Sequence, residues 1–224
     1  MTFADETPPS TTKSTDQIYS CYNTQKPEFG IPTMMDLTNL ENITKIIEKV
    51  NPYNILHIAA MTNVDLCETE KELAMKINAK ATEIISKQAA KKRAFFLYVS
   101  TDYVFDGKNG MKKETDIPNP IDFYGESKLA GEKAVMDMAS SWCIARTSTP
   151  FGIHPTKKSF PIWIKENLQA RKEIKVITDQ YTSPTYVPNL SRMILEIATR
   201  QIVGIIHVAG SSRISRFECP CRII

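Results

Sequence analysis

Four short apolar runs, spaced by helical stretches, constrain this chain most. They are Asn54–Ala60 (NILHIAA), Ala94–Ser100 (AFFLYVS), Trp142–Arg146 (WCIAR) and Val203–Ala209 (VGIIHVA). None alternates cleanly between apolar and polar residues, so a strand made from it needs cover on both faces. Parallel sheets wrapped by helices provide that cover. The intervening segments have the matching period. Leu40, Ile43, Ile46, Ile47 and Val50 recur at helical spacing behind Asn39, a capping residue. Further helices are expected over Glu70–Lys92, Phe123–Ser140, Ser159–Arg171 and Pro188–Arg200. Further strands are expected over Gln17–Tyr22, Ile31–Asp36 (weakened by Pro32) and Ile174–Ile177. The alternation predicts an α/β fold with a doubly wound parallel sheet and helices on both faces. Ligands in such folds bind outside the carboxyl ends of the strands, so residues just after the strands matter most.

Composition excludes several function classes. With 224 residues and 42% hydrophobic content, the chain can bury one sizeable core. The net charge of +3 is spread along the sequence, with no basic arm or stripe, so no nucleic-acid partner is expected. No apolar run approaches the ~20 residues of a membrane span. The polar N-terminus lacks a signal-peptide stretch. A soluble cytoplasmic protein is the expectation. Five cysteines stand at positions 21, 67, 143, 219 and 221, and Cys219-Pro220-Cys221 lacks the C-x-x-C spacing of a metal or redox hook. With three scattered histidines, no metal site is expected. Residues 1–16 are rich in Thr, Ser and Pro and read as a disordered leader.

The chemistry gathers at strand ends. Ser100-Thr101-Asp102 closes the run AFFLYVS, ahead of the turn Phe105-Asp106-Gly107. Either these residues face the ligand crevice or Thr101 and Asp102 merely cap the turn. Tyr124 and Lys128 then open the next helix. Their i, i+4 spacing puts phenol and ammonium on one helical face. An ammonium beside a phenol favours the phenolate, which predicts a lowered pKa for Tyr124. A tyrosine so tuned can pass a proton to a carbonyl oxygen. Alone, Y-x-x-x-K is a weak signal. Behind a strand ending in STD, and followed by Leu129-Ala130-Gly131-Glu132, it is a strong one.

From about Asp36 to Arg216 the chain resembles the extended short-chain dehydrogenase/reductases, above all the dTDP-4-dehydrorhamnose reductase family with its RmlD-like substrate-binding domain. The resemblance is carried by Asp36-Leu37-Thr38, Ala59–Asp65 with Glu68, Asn78-Ala79, Ser100–Gly107 (STDYVFDG), Tyr124–Glu132 (YGESKLAGE), Arg146-Thr147-Ser148, Asp179–Tyr186 (DQYTSPTY) and His207–Arg216 (HVAGSSRISR). It implies a Rossmann-like cofactor domain over 17–150 and a small substrate-binding portion over 151–224. It also implies roles: Thr101, Tyr124 and Lys128 as the catalytic triad; Asp36 and Leu37 against an adenine; Ala59, Ala60 and Met61 along the cofactor; Pro150 at the nicotinamide end. Lys128 would also reach the cofactor's ribose. Tyr103, Phe105, Gln180 and Thr185 would hold a sugar nucleotide. For Asn78 a structural hydrogen bond is the expected role. The cofactor would be NADP or NAD. That choice falls near Asn23 and Lys26, where the lysine either meets a 2′-phosphate or is simply solvated. Dimers through helices that flank the central strands are common in the superfamily, so a second copy is an admissible partner.

The chain departs from the family pattern in three places. The family opens on a strand, a G-x-x-G-x-x-G turn and a helix, whose amides cradle pyrophosphate. Here the first glycine is Gly30 and the next is Gly107. The expectation is therefore a sheet without its first βα unit, with unpaired edges on either side of the gap, in a chain shortened at its N-terminus. At the other end Pro220 is expected to stop a family-like helix. Thr149 stands where relatives that reduce the rhamnose precursor usually carry a sugar-contacting tryptophan. Two functions follow from the resemblance. One is NAD(P)H-dependent reduction of a 4-keto nucleotide sugar, with Tyr124 as proton donor. The other is a non-catalytic, nucleotide-binding regulatory role like that of the regulatory subunit of methionine adenosyltransferase.

Overall fold

The structure is a computed structural model and describes residues 17–153 and 159–219. The leader over 1–16 and the expected stop at Pro220 lie outside the described residues. Four strands form the main sheet: β3 (Asn54–His57), β4 (Phe95–Thr101), β5 (Trp142–Thr147) and β9 (Gly204–His207). They pair in the order β3-β4-β5-β9, and every pairing is parallel. Two earlier strands, β1 (Tyr19–Tyr22) and β2 (Ile31–Met34), form a parallel pair of their own. Among the described residues β1 pairs only with β2, and β3 only with β4. The break falls between β1 and β3, where the family pattern puts its first strand.

The two-residue period of β4 divides the core. Phe96 and Tyr98 face one way, into a cluster with Ile43 and Ile47 of α1 (Leu40–Val50), Ile85 and Ala89 of α4 (Ala81–Lys92) and Val135 of α5 (Phe123–Met138). Phe95 and Leu97 face the other way, against Leu190, Ile194 and Ile197 of α7 (Val187–Arg200). Both faces are covered, as the apolar runs require. Each large apolar side chain buried in these clusters contributes roughly 1.5–3 kcal/mol. Polar residues end the helices: Asn39 accepts from the Asn42 amide, and Asn63 from the Leu66 amide at the start of α2 (Val64–Thr69). No helix among the described residues is long and apolar enough to cross a membrane.

Two expectations need correction, and four short strands were not anticipated. The helix read over Glu70–Lys92 is not uniform: α3 (Lys71–Met75) passes into α4 through a π turn at Lys76–Lys80. A π turn adds one residue to the helix and leaves no trace in apolar spacing. No strand forms at Ile174–Ile177. Ile174 instead packs into a small cluster with Ile164, Leu168 and Ile214 beside α6 (Phe160–Gln169), so burial there comes without a partner strand. Finally, β6 (Pro150–Phe151), β7 (Tyr181–Thr182), β8 (Thr185–Tyr186) and β10 (Ile214–Ser215) pair as β6 with β8 and β7 with β10. Two-residue strands are too short to show a period.

Helix α5 lies unusually close to its support, and two glycines permit this. A Cβ on Gly125 would collide with the Tyr103 carbonyl, and one on Gly131 would stand 2.6 Å from the Asn78 carbonyl. Behind this contact, His57 is buried, with Nε2 3.1 Å from the Thr82 hydroxyl. Thr82 donates to the Asn78 carbonyl (2.8 Å), so the imidazole Nε2–H is the donor to Thr82. Burial depresses the His57 pKa to about 3, and the Lys128 charge adds to the effect.

Gly131→Ala is expected to destabilise the fold by about 1–3 kcal/mol in urea unfolding, because the new methyl meets both the fully buried Tyr98 hydroxyl and the Asn78 backbone carbonyl. His57 sets an acid limit as well. Its folded pKa lies below its unfolded value, so only the unfolded chain takes up the proton, and stability falls as pH drops from 6.5 toward 3. His57→Gln keeps a donor for Thr82 and should flatten that part of the stability–pH curve.

Candidate active site

The carboxyl ends of β3, β4 and β5 lie side by side and define the site. Thr101 ends β4 and is followed by a short 3-10 turn, Asp102–Val104. Its hydroxyl donates to Asp102 (3.2 Å), accepts from the Tyr103 amide (3.2 Å) and shares a hydrogen bond with the Tyr124 phenol. The turn-capping reading of Thr101 therefore holds. Asp122 caps α5 by accepting from the Gly125 amide (2.7 Å), and Glu68 accepts from the Phe123 amide (2.7 Å). Two carboxylates at a helix N-terminus complement its dipole and its free amides. They fix the turn that presents Tyr124. The Tyr103 ring meets Tyr124 edge-on at 5.6 Å, and the Tyr103 hydroxyl bonds Gln180.

Electrostatics differ from the expectation at one point. The Tyr124 pKa is not lowered: burial pushes it up to about 12, against the opposing pull of the Thr101 hydrogen bond. The Lys128 ammonium is not on the phenol. It donates to the Val99 carbonyl (2.8 Å) and sits over the Tyr98 ring at 4.0 Å. Burial lowers Lys128 to about 7, while Glu132 pulls in the other direction. Helical spacing gives the shared face but not where a four-carbon side chain ends. Asp102 is raised by burial despite hydrogen bonds from Ser148 (2.6 Å) and Thr101.

The remaining expected residues separate into two groups. Ala59, Ala60 and Met61 follow β3, and the Met61 amide and carbonyl are both held by the Asn78 side chain (2.8 and 3.0 Å). Asn78 also donates to Ser127 (2.9 Å), so its structural role is as expected. Pro150 begins β6, directly after Thr149, whose φ of 41° is rare for a β-branched residue. The Thr149 hydroxyl meets that of Thr182. Gln180 accepts from Arg216 (2.6 Å), and both line a cavity of about 480 Å³ with Phe160, Trp163 and Lys175. Four of the expected residues are engaged elsewhere. Asp36 is turned onto the Thr38 amide and hydroxyl (both 2.8 Å), and Leu37 packs against the core cluster under α1. Thr185 is 1% exposed, and its hydroxyl donates to the Ser148 carbonyl (2.6 Å) and accepts from the Gly210 amide. Phe105 is also buried, stacked by the Arg146 guanidinium at 5.1 Å.

Sequence reasoning missed the network beneath the site. Glu132 is fully buried and receives Ser100 (2.6 Å), Arg146 Nε (2.9 Å) and Arg146 Nη2 (2.7 Å). The signal was present: Arg146 ends an apolar strand, and a buried charge there requires a partner. Thr147 Oγ1 and Arg146 Nη1 are buried and lack a hydrogen-bond partner among the described residues.

Comparison with known proteins places this geometry. The model of the RmlD substrate binding domain matches residues 11–224. A crystal structure of a hypothetical dTDP-4-dehydrorhamnose reductase from Sulfolobus tokodaii is 40% identical, with a TM-score of 0.85 over 94% of this chain and 73% of that one. The dTDP-4-dehydrorhamnose reductase of Bacillus anthracis, solved in complex with NADP, is 35% identical, with a TM-score of 0.80 over 84% and 67%. Methionine adenosyltransferase 2 subunit beta of Xenopus tropicalis is 30% identical over 207 residues, covering 89% of this chain and 61% of that protein. The chain spans between 60% and 68% of the length of the curated relatives it matches. With the family model matching nearly the whole chain and the fold shared with solved relatives, the chain belongs to the RmlD substrate-binding domain family.

Proposed function

We propose that this chain holds the reaction centre of an NAD(P)H-dependent reductase acting on a 4-keto nucleotide sugar, with residues 17–150 serving the cofactor and 151–224 the sugar. The observation that carries the reading is the hydrogen bond between Thr101 and a buried, protonated Tyr124 at the carboxyl end of a parallel sheet. The residues present suit the nicotinamide half of the cofactor. Ala59 and Ala60 offer small side chains along the end of β3, and the unpartnered Thr147 hydroxyl waits at the end of β5. Lys128, Tyr124 and Pro150 would hold the ribose and nicotinamide. Asp36 and Leu37 would border the adenine. The bound cofactor supplies hydride to the carbonyl carbon.

The chain's own residues handle the proton. A phenol with its pKa near 12 is fully protonated at neutral pH, the form needed to donate to a carbonyl oxygen gaining negative charge. Thr101 orients that phenol and offers a second hydrogen bond to the same oxygen. The buried positive charge of Lys128, one turn along α5, stabilises the tyrosinate left after transfer. Tyr103 and Gln180, already bonded to one another, border the sugar-nucleotide side, and the buried Thr185 ties the backbone of Ser148 to that of Gly210. Asp102, tied to Ser148, keeps the strand ends of β4 and β5 in register.

A regulatory, nucleotide-binding role is the second reading. The 30% identity to methionine adenosyltransferase 2 subunit beta supports it. Titrating NADPH and following its fluorescence discriminates the two. Binding tighter than about 100 μM, within the usual range for enzyme ligands, together with carbonyl reduction, supports the reductase. Tyr124→Phe should then lower turnover by roughly 10²–10⁴-fold, the typical worth of a general acid, while NADPH still binds. Undiminished turnover in that variant would remove Tyr124 from the mechanism. Binding without any turnover would favour the regulatory reading.

A further inference from the structure

We propose that Glu132 is a positioning residue: its carboxylate, locked between the ends of β4 and β5, supplies the negative charge that keeps Lys128 an ammonium. The inference rests on the reductase reading for what Lys128 then does. Tyr124, Lys128 and Glu132 stand at i, i+4 and i+8 on α5, so successive members are neighbours along one helical stripe. All three are buried, at 9%, 2% and 0% exposure. A buried ammonium is costly unless an opposite charge and hydrogen-bond acceptors surround it. Lys128 has one carbonyl, Val99, and one aromatic face, Tyr98, for three N–H donors.

The groups packed around Lys128 leave Glu132 as its anion. From β3, His57 is held neutral by burial. From β4, Tyr98 is raised well above the ordinary phenol range and stays uncharged. On α5 itself, Tyr124 is protonated. Asp102, after β4, is engaged by Ser148 and Thr101. Arg146, from β5, carries the same sign as Lys128 and is clamped bidentately to Glu132. The carboxylate is thus fixed by three hydrogen bonds from two register partners, Ser100 and Arg146, and cannot swing away from the stripe. The same bonds tie the axial position of α5 to the ends of β4 and β5.

The test reads the amine directly, on the full chain. Lysine labelled with ¹³C at Cε is titrated by NMR, and the Lys128 signal is assigned by its loss in Lys128→Met. Glu132→Gln, which retains size and an acceptor, should lower the Lys128 midpoint by at least about one pH unit, a tenfold change in proton affinity. Glu132→Asp, which retains the charge, should restore most of the midpoint. If Glu132→Gln does not fold, the double variant Glu132→Gln/Arg146→Met removes both halves of the buried pair, an exchange that folds tolerate, and should show a smaller fall in the same direction, because the repulsion of Arg146 is lost with the attraction of Glu132. An unchanged midpoint in a folded variant overturns the proposal. Unfolding of both variants overturns it too, because the carboxylate would then be a structural anchor only. The titration needs neither substrate nor cofactor, so a lack of carbonyl reduction would count against the reductase reading and not against this one.

Discussion

The seating of α5 against β4 governs the site. One helix face carries Tyr124, Lys128 and Glu132, and the glycines at 125 and 131 let that face approach backbone directly. Because the interior of a protein is close-packed, a helix so seated has little freedom to slide. Its position sets the distance from the Tyr124 phenol to Thr101. The capping carboxylates of Asp122 and Glu68 fix its beginning, and the Glu132–Arg146 pair fixes its middle.

Beneath Tyr124 the packing is polar rather than apolar. Such burial is weak evidence for stability, since a well-packed apolar substitute often does as well. Its value here is geometric. Asn78 joins the end of β3 to α5 through Met61 and Ser127, and Glu132 joins α5 to β4 and β5. Three parallel strand ends and one helix are thereby held in a single arrangement by side chains that accept only a narrow range of angles. The π turn at Lys76–Lys80 contains Asn78, and the local change in winding fits its role as a bridge.

The sheet was readable because parallel strands must be apolar on both sides, and β4, β5 and β9 carry that signature openly. Thr101 and Tyr124 were readable for a related reason: strand ends and first helical turns are where such folds expose chemistry. What spacing could not show was the direction of a long side chain. Lys128 shares a face with Tyr124, yet its ammonium lies on Val99 and Tyr98. Thr185 belongs to a familiar loop pattern, yet its hydroxyl is absorbed by backbone groups. Long-range pairing decided both outcomes, and short-range pattern contains no information about it. Ile174 makes the same point, since its burial comes from α6 and not from a ladder of hydrogen bonds.

The order of strands in the sheet also has a consequence for how the chain is made. β5 emerges with Cys143, but its second partner arrives only with Gly204, after the whole substrate-side segment has been synthesised. Until then one edge of β5 offers unpaired backbone groups beside the residues of the future site. Parallel neighbours far apart in sequence form slowly, and transiently open edges of this kind are where nascent chains associate wrongly. A chain synthesised only as far as α6 would thus hold the paired ends of β4 and β5 with one flank still open.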